Sequence, residues 1–255
     1  MNIITFFKNF FNKSNNLGVD NWNLRNYIKD LRTLQDIIIK YEINGKFDIL
    51  EDVINDLDSK SFVDYNFSNL EFWINSGFRG SLPSTDTFNY IIIKCDNQIA
   101  VLNPLEKNQD SIHIYNLDLK IELKKSRTST DPPKYSSWHL DKEKKPEICR
   151  LTHPYYHFQF GGKKLEYIED GMGLLSSPRI PHPPMDIILL FHFVINNFYD
   201  NVKFSFVKQL MQDADYIRIL GNSKKRIWDD YFKSFRYDNE HTHYTADRIF
   251  PLYSI

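Results

Sequence analysis

Two cysteines in 255 residues exclude a disulfide scaffold and any four-thiolate zinc or iron–sulfur centre. An excess of charge of one sign is also missing: 32 Lys and Arg stand against 33 Asp and Glu, a formal net of -1. A sequence-independent duplex binder works by neutralising phosphates and releasing their counterions, so global charge does not indicate nucleic acid as a partner. Long apolar runs are absent too. The longest, Ile187 to Ile195, is about half a membrane span and contains His192. At the start of the chain, Lys8 and Lys13 interrupt the Phe pairs and no small-residue cleavage site follows, which argues against a secretory signal. The expectation is a cytoplasmic protein with no membrane span. The chain also contains no GxxxxGK[ST], no G-x-G-x-x-G after a strand and no G-x-S-x-G elbow. Walker-type nucleotide binding, dinucleotide binding and the serine-hydrolase elbow therefore have no local signature.

Aromatic residues are plentiful. Twenty Phe and 15 Tyr supply enough apolar area for a sizeable core in one or two domains. Two residue types are crowded: eight of the 11 Pro lie between Pro132 and Pro184, and five of the 8 His between His139 and His192. Phe6, Phe7, Phe10 and Phe11 fall at helical spacing and suit a core or partner-docking helix.

Periodicity gives the expected elements. Leu24, Ile28, Leu31, Leu34, Ile38 and Tyr41 predict an amphipathic helix ended by Asn44-Gly45, and Phe47 to Leu57 a second. Phe67, Leu70, Ile74 and Gly77 fit a short third helix. The period then drops to two. Phe88 to Lys94 and Ile99 to Leu102 predict strands joined by a hairpin at Asp96-Asn97. His113 to Leu123 alternates apolar and polar residues, as a half-buried antiparallel strand does. An exposed loop over Lys124 to Lys134 leads to strands at Ser136 to Asp141 and Thr152 to Phe160, closed by Gly161-Gly162 into Lys163 to Ile168. Four prolines between Pro178 and Pro184 enforce an extended lead-in to an apolar helix over Met185 to Tyr199, with Asp186 at its positive end. Further helices are expected over Phe204 to Met211 and Asp213 to Phe235, the last broken at Gly221-Asn222. The expected fold is α+β: an antiparallel meander of about five to seven strands packed against N-terminal and C-terminal helices. A helical region over 1–80 and the sheet with its C-terminal helices over 81–255 are expected to form one compact unit.

Among residues that could carry chemistry, His153-Pro-Tyr-Tyr-His157 is rejected as a local metal motif. Pro154 disfavours helical geometry at His153, and four extended residues span about 13 Å, too far for two imidazoles to share one ion. Strand parity is more useful. It sets His153, Tyr155, His157 and Gln159 on one face, and likewise separates His139 and Asp141 from Trp138 and Leu140. If these strands pair, His139, Asp141 and His157 can converge as a metal site, or as a general base with its orienting carboxylate; otherwise they are ordinary wet-face residues. Arg179 and His182, with His153, form a ligand-binding set in which Arg179 presents its fork to a phosphate or carboxylate; the alternative is an internal ion pair. His192 suits a satisfied core histidine, Cys95 and Cys149 suit inert thiols, and Lys224-Lys225-Arg226 with Trp228, Tyr231 and Phe235 suits a helix face.

Trp138-His139-Leu140-Asp141, His153-Pro-Tyr-Tyr-His157-Phe-Gln-Phe-Gly161-Gly162, Pro178-Arg179-Ile-Pro-His182-Pro-Pro-Met-Asp186 and Asn196-Asn-Phe198 together resemble an uncharacterised bacterial domain-of-unknown-function family over roughly Ser136 to Phe232. The resemblance implies a bacterial protein, with a mobile or anti-phage locus as one setting, and brings no established activity, cofactor or catalytic residue. The first functional expectation is a cytosolic accessory or binding subunit of a bacterial multiprotein system, with a protein partner or a homo-oligomeric state. The second is a hydrolase of nucleic acid or nucleotides acting through His139, Asp141 and His157. The third is a sensor of a small anionic ligand.

Overall fold

The computed structural model describes residues 22–75, 88–101, 110–143, 152–161 and 178–233. Helix α1 (Leu24–Lys40) buries Tyr27, Ile28, Leu31, Leu34, Ile37 and Ile38, and Asn23 caps it by accepting the Asn26 N–H at 3.0 Å. Its left-handed exit is Glu42 (φ 49°), not the Asn44-Gly45 pair. Gly45 instead opens β1 (Gly45–Lys46), where a Cβ would lie 2.1 Å from the Glu71 carbonyl oxygen. Helix α2 (Ile49–Asp58) follows, burying Leu50, Val53, Ile54 and Leu57.

The third helix does not exist; its apolar residues belong to strand β2 (Asp64–Asn75). A bulge between Phe67 and Leu70, with Asn69 at φ 62°, shifts the phase of the alternation. Tyr65 and Phe67 face the core before it, and Leu70, Phe72 and Ile74 after it. A bulge of this kind leaves a spacing of three, and two strand periods make four, so the strand imitates a helical pattern.

Strand β3 (Tyr90–Val101) runs straight through the expected hairpin at Asp96-Asn97. Both turn-forming residues are used within the sheet. Asp96 accepts the Asn69 N–H at 2.8 Å, while buried Asn97 accepts the Tyr65 hydroxyl at 2.9 Å and donates to the Asn116 carbonyl at 3.0 Å. Strand β4 (Ile112–Lys124) alternates as expected, and the loop after it is largely exposed. Strands β5 (Lys134–Lys142), β6 (Tyr156–Phe160) and β7 (Ile180–Pro181) complete a seven-stranded antiparallel meander ordered β1 to β7.

Asp186 caps α3 (Ile187–Phe198) by accepting the Leu189 N–H at 2.9 Å. The short α4 (Phe206–Leu210) leads to α5 (Ala214–Lys233), which passes Gly221-Asn222 without a break. The helices cover one sheet face. Phe72 of β2 meets Phe191 of α3 with ring centroids 5.7 Å apart, and Phe158 of β6 meets Phe193 at 5.6 Å. The Tyr115 hydroxyl on β4 accepts the Met185 N–H and donates to the Met185 carbonyl, tying the proline lead-in to the sheet. The fold is α+β. Among the described residues no helix is long and apolar enough to cross a membrane. The Phe6–Phe11 helix, the Lys163 to Ile168 strand, Cys149 and the tail beyond 233 lie outside the described residues.

Candidate functional site on the polar face of β5 and β6

The two strands pair with Asp141 opposite His157 and His139 opposite Gln159. Pleating sends Trp138, Leu140, Phe158 and Phe160 toward the helices, and His139, Asp141, His157 and Gln159 to the other face. His139 Nε2 lies 3.3 Å from Asp141 Oδ2. One ligand atom from each of His139, Asp141 and His157 lies within 4.8 Å of the others, so the three side chains converge. The β4 register adds Asp118 beside His139 and Asn116 beside Asp141.

Burial is graded across this cluster. His157 is only 4% exposed although it sits on the polar face. The His139 side chain is 14% exposed and that of Asp141 39%, so the cluster is closed at His157 and open at Asp141. The His157 Nδ1 lies 3.2 Å from the Pro154 carbonyl. A carbonyl can only accept, so Nδ1 carries the hydrogen and Nε2 keeps the lone pair. Burial pushes the His157 ring down to about 4, the Pro154 carbonyl opposes, and Arg179, His153 and His139 push further down. The ring is therefore neutral near pH 7. Asp141 is raised by burial, opposed by His139 and Arg179, with Asp118 and Glu143 raising it.

His153 requires a correction. The strand is shorter than the expected Thr152 to Phe160, because β6 begins only at Tyr156. The His157–Pro154 hydrogen bond folds the preceding residues back, and the His153 and His157 rings come to 5.5 Å, edge to face. His153 Nε2 is 4.0 Å from Glu143 Oε2, at the margin of the same cluster. Tyr155 takes no place in an extended parity either: its hydroxyl and that of Tyr156 both donate to Asp110 Oδ2, at 3.1 and 2.8 Å.

Arg179 and His182 are separated. Pro181 of β7 lies opposite His157, and Arg179, two residues before it, acts electrostatically on Asp141 and His157. Its Nε and Nη1 are buried without a hydrogen-bond partner among the described residues. Such a donor costs on the order of 1–3 kcal/mol. Among the described residues no internal ion pair satisfies these two donors. His182 turns to the helix side. Its Nδ1 is 2.6 Å from the Pro183 carbonyl and its ring tilts against Phe158 at 5.6 Å, while burial lowers its pKa. His182 packs the lead-in and takes no part in the cluster.

Asn116, Asp118 and Glu143 are not marked out by sequence as members of this site. Asn116 and Asp118 are visible as the polar half of an alternating strand, but only the β4–β5 register sets them beside His139 and Asp141. No family model, curated protein or solved structure matches the chain.

Two imidazoles and a carboxylate suit zinc and neighbouring transition metals. Ligands about 2.0–2.2 Å from an ion sit roughly 3–4 Å apart, so the widest pair has about 1 Å to close.

Proposed function

We propose that this chain is a metal-assisted hydrolase whose ion is held by His139, Asp141 and His157. The observation that carries this is the convergence of one ligand atom from each residue within 4.8 Å. Two features support it. The Pro154 carbonyl fixes the His157 tautomer that keeps the lone pair on Nε2, and such a backbone contact is how ligand imidazoles are oriented. Asp118 and Glu143 act electrostatically on Asp141, adding negative charge around the position a cation takes.

His139, Asp141 and His157 would hold the ion and leave a fourth position open; a divalent ion there would supply a water acidified to a pKa of about 7 as nucleophile and would stabilise the charge that develops on the leaving oxygen. A formal net charge of -1 favours a nucleotide-sized substrate over a nucleic-acid polymer. The accessory-subunit expectation rests in part on the Phe6–Phe11 stretch as a docking helix, and that stretch lies outside the described residues.

Zinc titration of the metal-stripped full chain by calorimetry tests the proposal. One ion per chain is expected, with affinity falling at least about 100-fold in His139→Ala and His157→Ala, since loss of even an outer-shell partner costs about 10–100-fold. Hydrolysis of p-nitrophenyl phosphate should need the ion and vanish in Asp141→Asn. Equal zinc affinity in the wild type and all three variants would end the proposal.

A further inference from the structure

We propose that Arg179 makes the open side of this cluster a subsite for a phosphoryl group, so that the substrate class is a phosphate ester; this rests on the metal-assisted reading. Arg179 is the one residue beside the cluster whose buried donors have no protein partner among the described residues. Nε and Nη1 are both buried and unmatched, although the side chain acts electrostatically on Asp141 and His157. A guanidinium carries five N–H donors on two edges, and Nε and Nη1 belong to different edges. Each edge therefore keeps an unused donor.

The ligand that completes such a group is an anion with several oxygens. A carboxylate has two oxygens in one plane and is used up by a single edge. A phosphoryl group is tetrahedral and can give oxygens to the guanidinium while another faces the ion. The backbone aims Arg179 toward the cluster. Pro181, two residues on, pairs with His157 across β6 and β7, and the prolines at 178, 181, 183 and 184 stiffen the segment that carries the side chain. Entry is from the Asp141 side, the most exposed member of the cluster at 39%. His157 and Gln159, 4% and 7% exposed, form the closed end. The ion and Arg179 would thus hold one phosphoryl group between them.

Inorganic phosphate is the probe, titrated calorimetrically into the full chain with and without zinc, with acetate as a control. The expected result is phosphate binding to the wild type, weakened at least tenfold in Arg179→Gln and less in Arg179→Lys, with zinc affinity unchanged in both. Acetate should bind at least tenfold more weakly than phosphate. In the ¹⁵N-labelled wild type, the Arg179 Nε–H resonance, assigned by its loss in Arg179→Lys, should shift on adding phosphate; this measurement serves even if Arg179→Gln fails to fold. Undiminished phosphate binding in Arg179→Gln, an unmoved Nε–H resonance, or acetate binding as tight as phosphate overturns the proposal. Zinc binding without phosphate binding overturns it while leaving the metal site intact. Arg179-dependent phosphate binding in a chain that takes no zinc supports the subsite and removes the metal reading.

Discussion

His192 lies half-buried in the apolar helix α3, with Nδ1 3.0 Å from the Tyr216 hydroxyl. Burial first, and Lys224 second, lower its pKa from 6.5 to about 4. The unfolded chain therefore takes up a proton on this residue below pH 6.5, while the folded chain declines it until about pH 4. The stability held in the neutral ring is complete above pH 6.5 and is lost as the pH falls toward 4. His157 contributes in the same direction over the same window. Urea denaturation at several pH values should show stability falling through that window, with a slope smaller by up to one proton in His192→Gln. An unchanged slope would show that His192 does not titrate differently in the two states. At this scale residue type was informative for His192, whose ring finds the Tyr216 hydroxyl. It was misleading for Asp96 and Asn97, whose turn chemistry is spent inside β3.

At the scale of elements, amphipathic period decided α1, α2 and β4, because each packs one unbroken stripe against the core. It failed at β2, where the bulge at Asn69 turned a period of two into a spacing of three. The edge pairing of β1 and β2 depends on Gly45, since a Cβ there would meet the Glu71 carbonyl oxygen at 2.1 Å and the Phe47 ring at 2.4 Å. The carbonyl is backbone in a strand and has little room to move. Gly45→Ala should therefore cost about 1–3 kcal/mol, the usual range for overpacking, and should loosen β1 from β2. Chemical denaturation and hydrogen exchange of the Trp73 amide, which donates to the Asn44 carbonyl at 2.9 Å, provide the check. Wild-type stability with unchanged exchange would show that the edge tolerates the methyl group.

At the scale of the molecule, a buried ion network joins helices far apart in the chain. Arg226 of α5 reaches Asp30 of α1 at 3.1 Å and lies 3.7 Å from Asp186, the cap of α3. Arg218 and Asn222 add further contacts to Asp30. The side chains of Asp30 and Arg226 are only 2% and 4% exposed. Removing one partner leaves the other charged and dry, so Asp30→Ala should cost about 3–5 kcal/mol. Asp30→Asn, which keeps an acceptor, should cost less. A loss below about 1 kcal/mol in Asp30→Ala, read by urea denaturation, would mean that the network sets the helix arrangement without stabilising it.

The sequence by itself determined the α+β composition, the amphipathic helices, the alternation of β4 and the parity that sorted His139, Asp141 and His157 onto polar strand faces. Those features are local, written in spacing and in residue chemistry along a few consecutive residues. Only the tertiary structure decided that β5 and β6 pair in a register that joins the three. The fold-back at Pro154 that brings His153 to His157, the approach of Arg179 with unused donors, and the retreat of His182 to the helix side were decided there too. Each is a relation between segments separated in the chain, fixed by how the whole sheet buries its apolar face. A spacing rule along one strand does not contain it.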